Sequence, residues 1–579
     1  MRDARARTQR RDTQRRGAQR PGTLGPGALG ILTAHFFRRF FDNDTVQPEG
    51  DTLTTVVRAL SFVAAPGLMI AFFIQASVGV QRMGMWGGIA VRCFFVVYSF
   101  VVMGAVTVFE WEMLFPDKLD FLVLTPLPIR PTELFAAKAA ALVGFLGLFL
   151  AATNIFSTLV IPHPRLGPIW LQMVAHVTAT GSAGLFAGLL FLAMGGTMLC
   201  VLNGRMVRVI SPVLQMLAVM ALLLVLLACL RFTGSIPTLL QQQPMGAARW
   251  LPPLWFLGLY EEILQGSRAP AFAPVMARYA LRSLAIVAGV VAITYPLAWA
   301  RVRKMTIEGV TRGRGRRLRG MEWLTAHAMR TVVRRPGERA VFHFIGQTLA
   351  RNNRYQVYMA IYCGAGLALA TSFAVSLRVV GGVARLGVSD AGLHAVMPML
   401  VFWTVAGLRT AFSFPVNLQA GWIFRVTGVD LSECAAAGRR WVTACAGGVL
   451  AGVLAVQGIA GWDAGKLMVQ AVCGMCLCLL LSDGFFFAQR SVPFNQPRMP
   501  GKVSFPLMLT LYIGVYPLYV EGMGRLEMWL ERHPHELATV CFAAAALHWA
   551  AAWLRGQSSE AEDLAEYDGE FQVLGLTTQ

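Results

Sequence analysis

The residues of this chain that could do chemistry are few, and their spacing argues against catalysis. No GxxxxGK(S/T) phosphate loop occurs, and the stretch from Gly461 to Lys466 lacks both its spacing and its final hydroxyl. There is no HExxH and no GxSxG, and the nine histidines are scattered without metal-ligand spacing. Cys473 and Cys476 make a CxxC that runs on to Cys478, but it sits among Leu, Met and Gly with no His or acid beside it. Small residues packing a helix interface explain it better than redox or metal chemistry. This points to a non-enzyme that binds no cofactor of its own and no metal. What remains is a handful of charges set against apolar runs. Glu110 and Glu112, in VFEWEMLF, close one run at the membrane edge; Arg409 ends another; Asp483 interrupts a third, in LLLSDGFFFAQ. Charges in such places are costly and tend to be paired. Lys118 and Lys138 are candidate partners for the glutamates, and an Arg409–Asp483 pair is conceivable. Structural pairing is favoured over a proton relay.

These charges must be held by membrane helices. Of 579 residues, 56% are hydrophobic and only 14% charged, with a mean hydropathy of +0.55. Apolar runs near 20 residues recur, the length that crosses about 30 Å of hydrocarbon. The expected fold is an all-α polytopic membrane protein with twelve spans. They fall near 59–80, 89–109, 134–161, 171–200, 211–231, 279–300, 357–377, 392–412, 441–461, 467–487, 504–521 and 537–555. The net charge of +20 does not indicate nucleic acid. With both termini in the cytosol, inside segments carry 35 Lys and Arg and outside segments 10. That is the bias of a multi-pass protein of the cytoplasmic (inner) membrane, N-in and C-in.

Two halves are visible. The chain divides into a basic, disordered tail (1–30), a first six-span half (31–300), an Arg/Gly-rich linker (301–320), a second half (321–555) and an acidic tail (556–579). In each half an apolar run ends in Phe-Pro, a polar loop follows, and the next run opens after a Glu. Phe115-Pro116 matches Phe414-Pro415, Leu119 matches Leu418, and Thr132-Glu133 matches Ser432-Glu433, a shift of 299–300 residues. Leu-Thr-Ala-His occurs at 32–35 and again at 324–327. A repeat of half the chain reads as an internal duplication. Residues 30–41 and 322–335 mix apolar and basic side chains and read as amphipathic helices lying at the cytosolic interface before each half. In the first elbow Pro116, Pro126, Pro128 and Pro131 stiffen the backbone. Thr132 is the expected N-cap of the next span, with Glu133 in its first turn. Glu133 and Glu433 suit helix capping and partner contact equally well.

The layout, together with D-x-L-x-x-T-P-L-P-I-x-P-x-E-L-x-x-A-K read from Asp120 to Lys138, resembles the permease subunits of ABC exporters of the ABC-2 (type V) class. About 30 residues carry the local match, and topology carries the rest. The second copy replaces Thr-Pro-Leu-Pro-Ile with Ile-Phe-Arg-Val-Thr-Gly-Val. The resemblance implies that each elbow holds a short coupling helix docking on a separate cytosolic ATPase subunit, a dimer, which binds the ATP. Carried onto this chain, the coupling residues are Phe115, Pro116, Asp120, Pro126, Pro128, Arg130, Glu133, Pro415, Asp430 and Glu433. Membrane lipid is the other expected partner. A secondary transporter with two six-span repeats is the alternative; it would need ionisable residues near the midplane, for which Asp483 is the one good candidate.

Overall fold

The computed structural model describes residues 26–41, 52–76, 85–111, 113–115, 120, 124, 127, 129–162, 167–231, 240, 249–307, 335–380, 383–413, 431–487, 493–494 and 505–562. The tails before 26 and after 562, the linker from 308 and the segment 322–334 lie outside them. The chain divides into two compact units, Met1–Arg316 with Leu377–Arg385, and Arg317–Ser376 with Leu386–Gln579.

The first unit holds eight described helices: α1 (Pro26–Arg39), α2 (Thr52–Ala76), α3 (Met85–Phe109), α4 (Pro131–Val160), α5 (Ile169–Val201), α6 (Gly204–Arg231), α7 (Pro252–Gln265) and α8 (Ala273–Ile307). Its centre is α5, packed against α3, α4, α7 and α8. Ala175, Ala179, Ala183 and Ala187 recur every fourth residue along α5 and are fully buried. Such a stripe of small side chains lets neighbouring backbones approach closely, which is how membrane helices associate without a hydrophobic driving force. Between α6 and α8 the chain forms α7. Pro252 and Pro253 suit its first turn, where a missing N–H costs nothing. At Gly258 a Cβ would lie 2.3 Å from Met276 Cβ and 2.9 Å from the Ala273 carbonyl, so α7 meets α8 only because this residue is glycine.

The second unit holds α9 (Pro336–Arg351), α10 (Asn353–Ala374), α11 (Asp390–Phe412), α12 (Leu431–Ile459), α13 (Ala464–Phe485), α14 (Phe505–Arg532) and α15 (Leu537–Glu562). Here α11 is central, with α10, α12, α13 and α14 around it. Met397, Val401, Val405 and Leu408 are its buried stripe, at helical spacing.

Eleven of the described helices are long and apolar enough to cross a membrane. They match eleven of the expected spans, several of them longer than expected, such as Ser432–Ile459 and Ala273–Lys304. The twelfth, expected over 504–521, falls within α14, whose side chains are described only from residue 514. The fold class needs one amendment. Between α10 and α11 the chain forms a two-stranded hairpin, β1 (Val375–Val380) and β2 (Val383–Val388). Alternating Val with Gly381-Gly382 between the runs is strand-and-turn chemistry.

Candidate functional site

The first elbow is built onto α1 and α4. Pro131, Thr132 and Glu133 open α4, and the residue that caps it is Arg130, not the expected Thr132. Proline at the first helical position displaces the cap by two residues. The Glu133 carboxylate accepts the Arg130 backbone N–H at 3.2 Å, so this acid closes the helix start. Asp120 is buried, and its carboxylate is ion-paired with Arg39 at the end of α1. Phe115 is also buried, its ring 5.5 Å from Tyr295, whose hydroxyl donates to the Leu114 carbonyl at 3.1 Å. Leu127 and Arg130 are exposed. Pro116, Pro126, Pro128 and Glu112 lie outside the described residues.

The brace behind this elbow is aromatic. Phe36, Phe40 and Phe41 of the α1 segment lie buried against Phe145 and Phe149 of α4, with the Phe40 and Phe145 rings stacked 4.6 Å apart. Lys138, almost fully buried, places its ammonium 5.1 Å from the Phe36 ring centre and 4.8 Å from that of Phe40. A desolvated cation over two rings is worth roughly 1–2 kcal/mol per ring.

Of the second elbow only the end is described, from residue 431 onward. Pro415 and Asp430 lie outside the described residues, but Glu433, in the first turn of α12, sits 3.6 Å from Arg335 at the start of α9. Arg440, two turns along α12, is ion-paired with Glu338 of α9. Trp441 stacks on Phe342 at 5.7 Å. The amphipathic helix expected over 322–335 lies, apart from residue 335, outside the described residues; a short helix follows it at Pro336–Arg351, with Pro336 in its first turn. In each unit, then, a short helix lies against the helix that follows the elbow.

A shallow cleft flanks each of these helix pairs. One, of about 590 Å³, is lined on α1 by residues 29, 30, 33, 34, 37 and 38. The other, of about 270 Å³, is lined on α9 by residues 342, 343, 346, 347, 350 and 351. The spacing is identical, and each series ends on an arginine, Arg38 and Arg351.

The remaining predicted charges are arranged otherwise than expected. Asp483 of α13 is held by Arg555 at 2.8 Å and by His548, both on α15, while Arg409 lies over the Phe486 ring at 5.6 Å. Arg555 thus takes the place weighed for Arg409, because α15 packs along α13 at that level. Glu110 does not take Lys138, which is held by the aromatic rings of α1. Its Oε2 is buried with no hydrogen-bond partner among the described residues, and burial pushes its carboxyl up to about 7.

Two buried charge clusters were not singled out by sequence reasoning. Arg92 of α3 makes a bidentate pair with Glu261 of α7, at 2.5 and 3.1 Å, and Gln265 donates to the same carboxylate. Beside it His176 is linked to Tyr260 at 3.2 Å and to Ser157 at 2.9 Å. Every one of these groups is satisfied, so the network pins α7 onto α3, α4 and α5. The second cluster, around His394 and Glu527, is not satisfied and is taken up below.

No family model, curated protein or solved structure matches the chain. Function has to be read from geometry and chemistry.

Proposed function

We propose that this chain is the permease subunit of an ATP-driven exporter, with two fused halves that couple to a separate ATPase dimer through their elbows. The observation that supports it most is the repeated brace. In both units an elbow acid, Asp120 or Glu433, is ion-paired to a basic residue flanking a short helix, and that helix lies against the helix leaving the elbow. An elbow tied in this way moves as one body with its short helix and the following span, which is what a lever pushed from the cytosol requires. Phe115, Asp120 and Glu133 shape the first elbow from within; Leu127 and Arg130, exposed beside them, are the surface a partner would meet. Closure of the ATPase dimer would push both elbows, rock the two halves and open a path outward. The chain lies in the cytoplasmic membrane with both termini inside, and ATP stays on the partner.

The test is purification in mild detergent from native membranes, with the chains identified by mass. A stoichiometric second chain carrying a GxxxxGK(S/T) loop supports the reading. A preparation holding this chain alone overturns it. The second reading, a secondary transporter, predicts uptake driven by an ion gradient without ATP; it has less support, since Asp483 stands near the end of its span rather than at the midplane and is ion-paired with Arg555.

A further inference from the structure

At one end of the second unit three helices each contribute two polar residues four positions apart. They are Asp390 and His394 on α11, Lys466 and Gln470 on α13, and Glu531 and Glu527 on α14. Residues four apart stand one above the other on a helix face. The result is two layers. Asp390, Lys466 and Glu531 form a rim that solvent reaches, with Lys466 at 42% and Glu531 at 17% side-chain exposure. One turn deeper, His394, Gln470 and Glu527 are only 1–2% exposed.

The deeper layer is incomplete. His394 Nδ1 stands 3.5 Å from Glu527 Oε2 and 3.7 Å from Glu531 Oε1. His394 Nδ1, both Glu527 oxygens and both polar atoms of the Gln470 amide are buried without a hydrogen bond of normal geometry. A buried polar atom left unpaired carries its full desolvation penalty with no hydrogen bond to offset it. Three such groups on three different helices converge behind an open rim. With the imidazole neutral, the three acids and one lysine leave the site net negative, which favours a cation.

We infer that His394 and Glu527 form a proton-binding site, entered between Asp390, Lys466 and Glu531 and floored by Gln470. The proton comes from solvent and adds to the imidazole. The imidazolium then donates to the Glu527 carboxylate, and no other bond changes. The other titratable groups facing the pair are the Cys473 thiol on α13 and the Tyr519 phenol on α14. Burial also pushes the Glu527 carboxyl up to about 7, which places the site's charge change within the physiological range. By the expected topology this end of the unit faces outward, so the site samples the pH outside. The inference does not rest on the permease reading.

Trp462 supplies the test, because its ring centre lies 5.3 Å from that of His394 and a protonated imidazole quenches an adjacent indole. The full chain in detergent would be titrated from about pH 4.5 to 9, and the emission of W462F subtracted from that of the unaltered protein. A one-proton quench with a midpoint between about pH 5.5 and 8 is expected. It should vanish in H394Q. In E527Q, which keeps the shape but removes the anion, the midpoint should fall by about one pH unit or more. A flat difference signal overturns the proposal, as does an unshifted midpoint in E527Q. So does a sodium-dependent change at fixed pH, which would make a metal cation the occupant.

Discussion

The two braces share a plan and differ in what holds it. Behind the first elbow the short helix is fastened by aromatic side chains and by a buried ion pair, Arg39 with Asp120. Behind the second it is fastened by ion pairs nearer solvent: the Arg335 and Arg440 side chains are 65% and 44% exposed. Shifting the first elbow's numbers by 300 shows how the same helix was refilled. Phe145 becomes Cys445, Ala141 becomes Trp441, and Lys138 becomes Gly438. The aromatic mass moves one turn toward the helix start, and the buried cation disappears. What the two units share is the arrangement, a short helix laid along the helix that leaves the elbow.

The comparison can be broken at its strongest point first. Phe145→Ala removes a ring stacked between Phe40 and Phe149 and should cost about 3–5 kcal/mol, read as a fall in the thermal unfolding temperature in detergent. Cys445→Ala, at the matching site, should cost far less. Arg39→Ala strands the buried Asp120 carboxylate and should cost about 2–4 kcal/mol. Its counterpart Arg335→Ala breaks an exposed contact and should cost about 1 kcal/mol or less. Equal losses from the two arginines would contradict the difference drawn here.

A pH series sharpens the picture of the first elbow's edge. The Glu110 carboxyl, with an ordinary value of 4.5, is raised to about 7 by burial. A raised carboxyl takes up a proton on folding. Its contribution is present in full below pH 4.5 and is lost as pH rises through about 7. Glu110→Gln should therefore leave stability unchanged at pH 4 and raise it by about 1–3 kcal/mol at pH 8. A gain of equal size at both values would show that burial is not the cause. The smallest expected effect is at Gly438, where a Cβ would meet Phe412 and Pro493 at an ordinary 3.6 Å. Gly438→Ala should be neutral or stabilise by up to about 1 kcal/mol through helix propensity alone.

The spans were legible because length and hydropathy are properties of contiguous sequence. The hairpin over 375–388 was missed although Gly381-Gly382 stood between Val-rich runs; the preceding apolar run was read as reaching residue 377 and absorbed the first strand. The helix that packs on α12 begins at Pro336, after the 322–335 segment singled out by its Leu-Thr-Ala-His, and it was not expected from the sequence although Pro336 is a start signal. Pairings were the least legible. Arg92 meets Glu261 across 169 positions, and Asp483 meets Arg555 across 72. Nothing local distinguishes Arg555 from Arg409 as the partner of Asp483. Only the packing of α15 on α13 decides between them.

The central claim is that the elbows receive force from an ATPase. Its most direct test is ATP hydrolysis by the complex purified through this chain, comparing the unaltered protein with a Leu127→Asp, Arg130→Glu double variant. Both positions are exposed on the first elbow, so the fold should survive. The expected result is a co-purifying ATPase whose yield and activity fall at least tenfold in the variant, with the unfolding temperature unchanged. Full activity in the variant, or no ATPase with either protein, would contradict it.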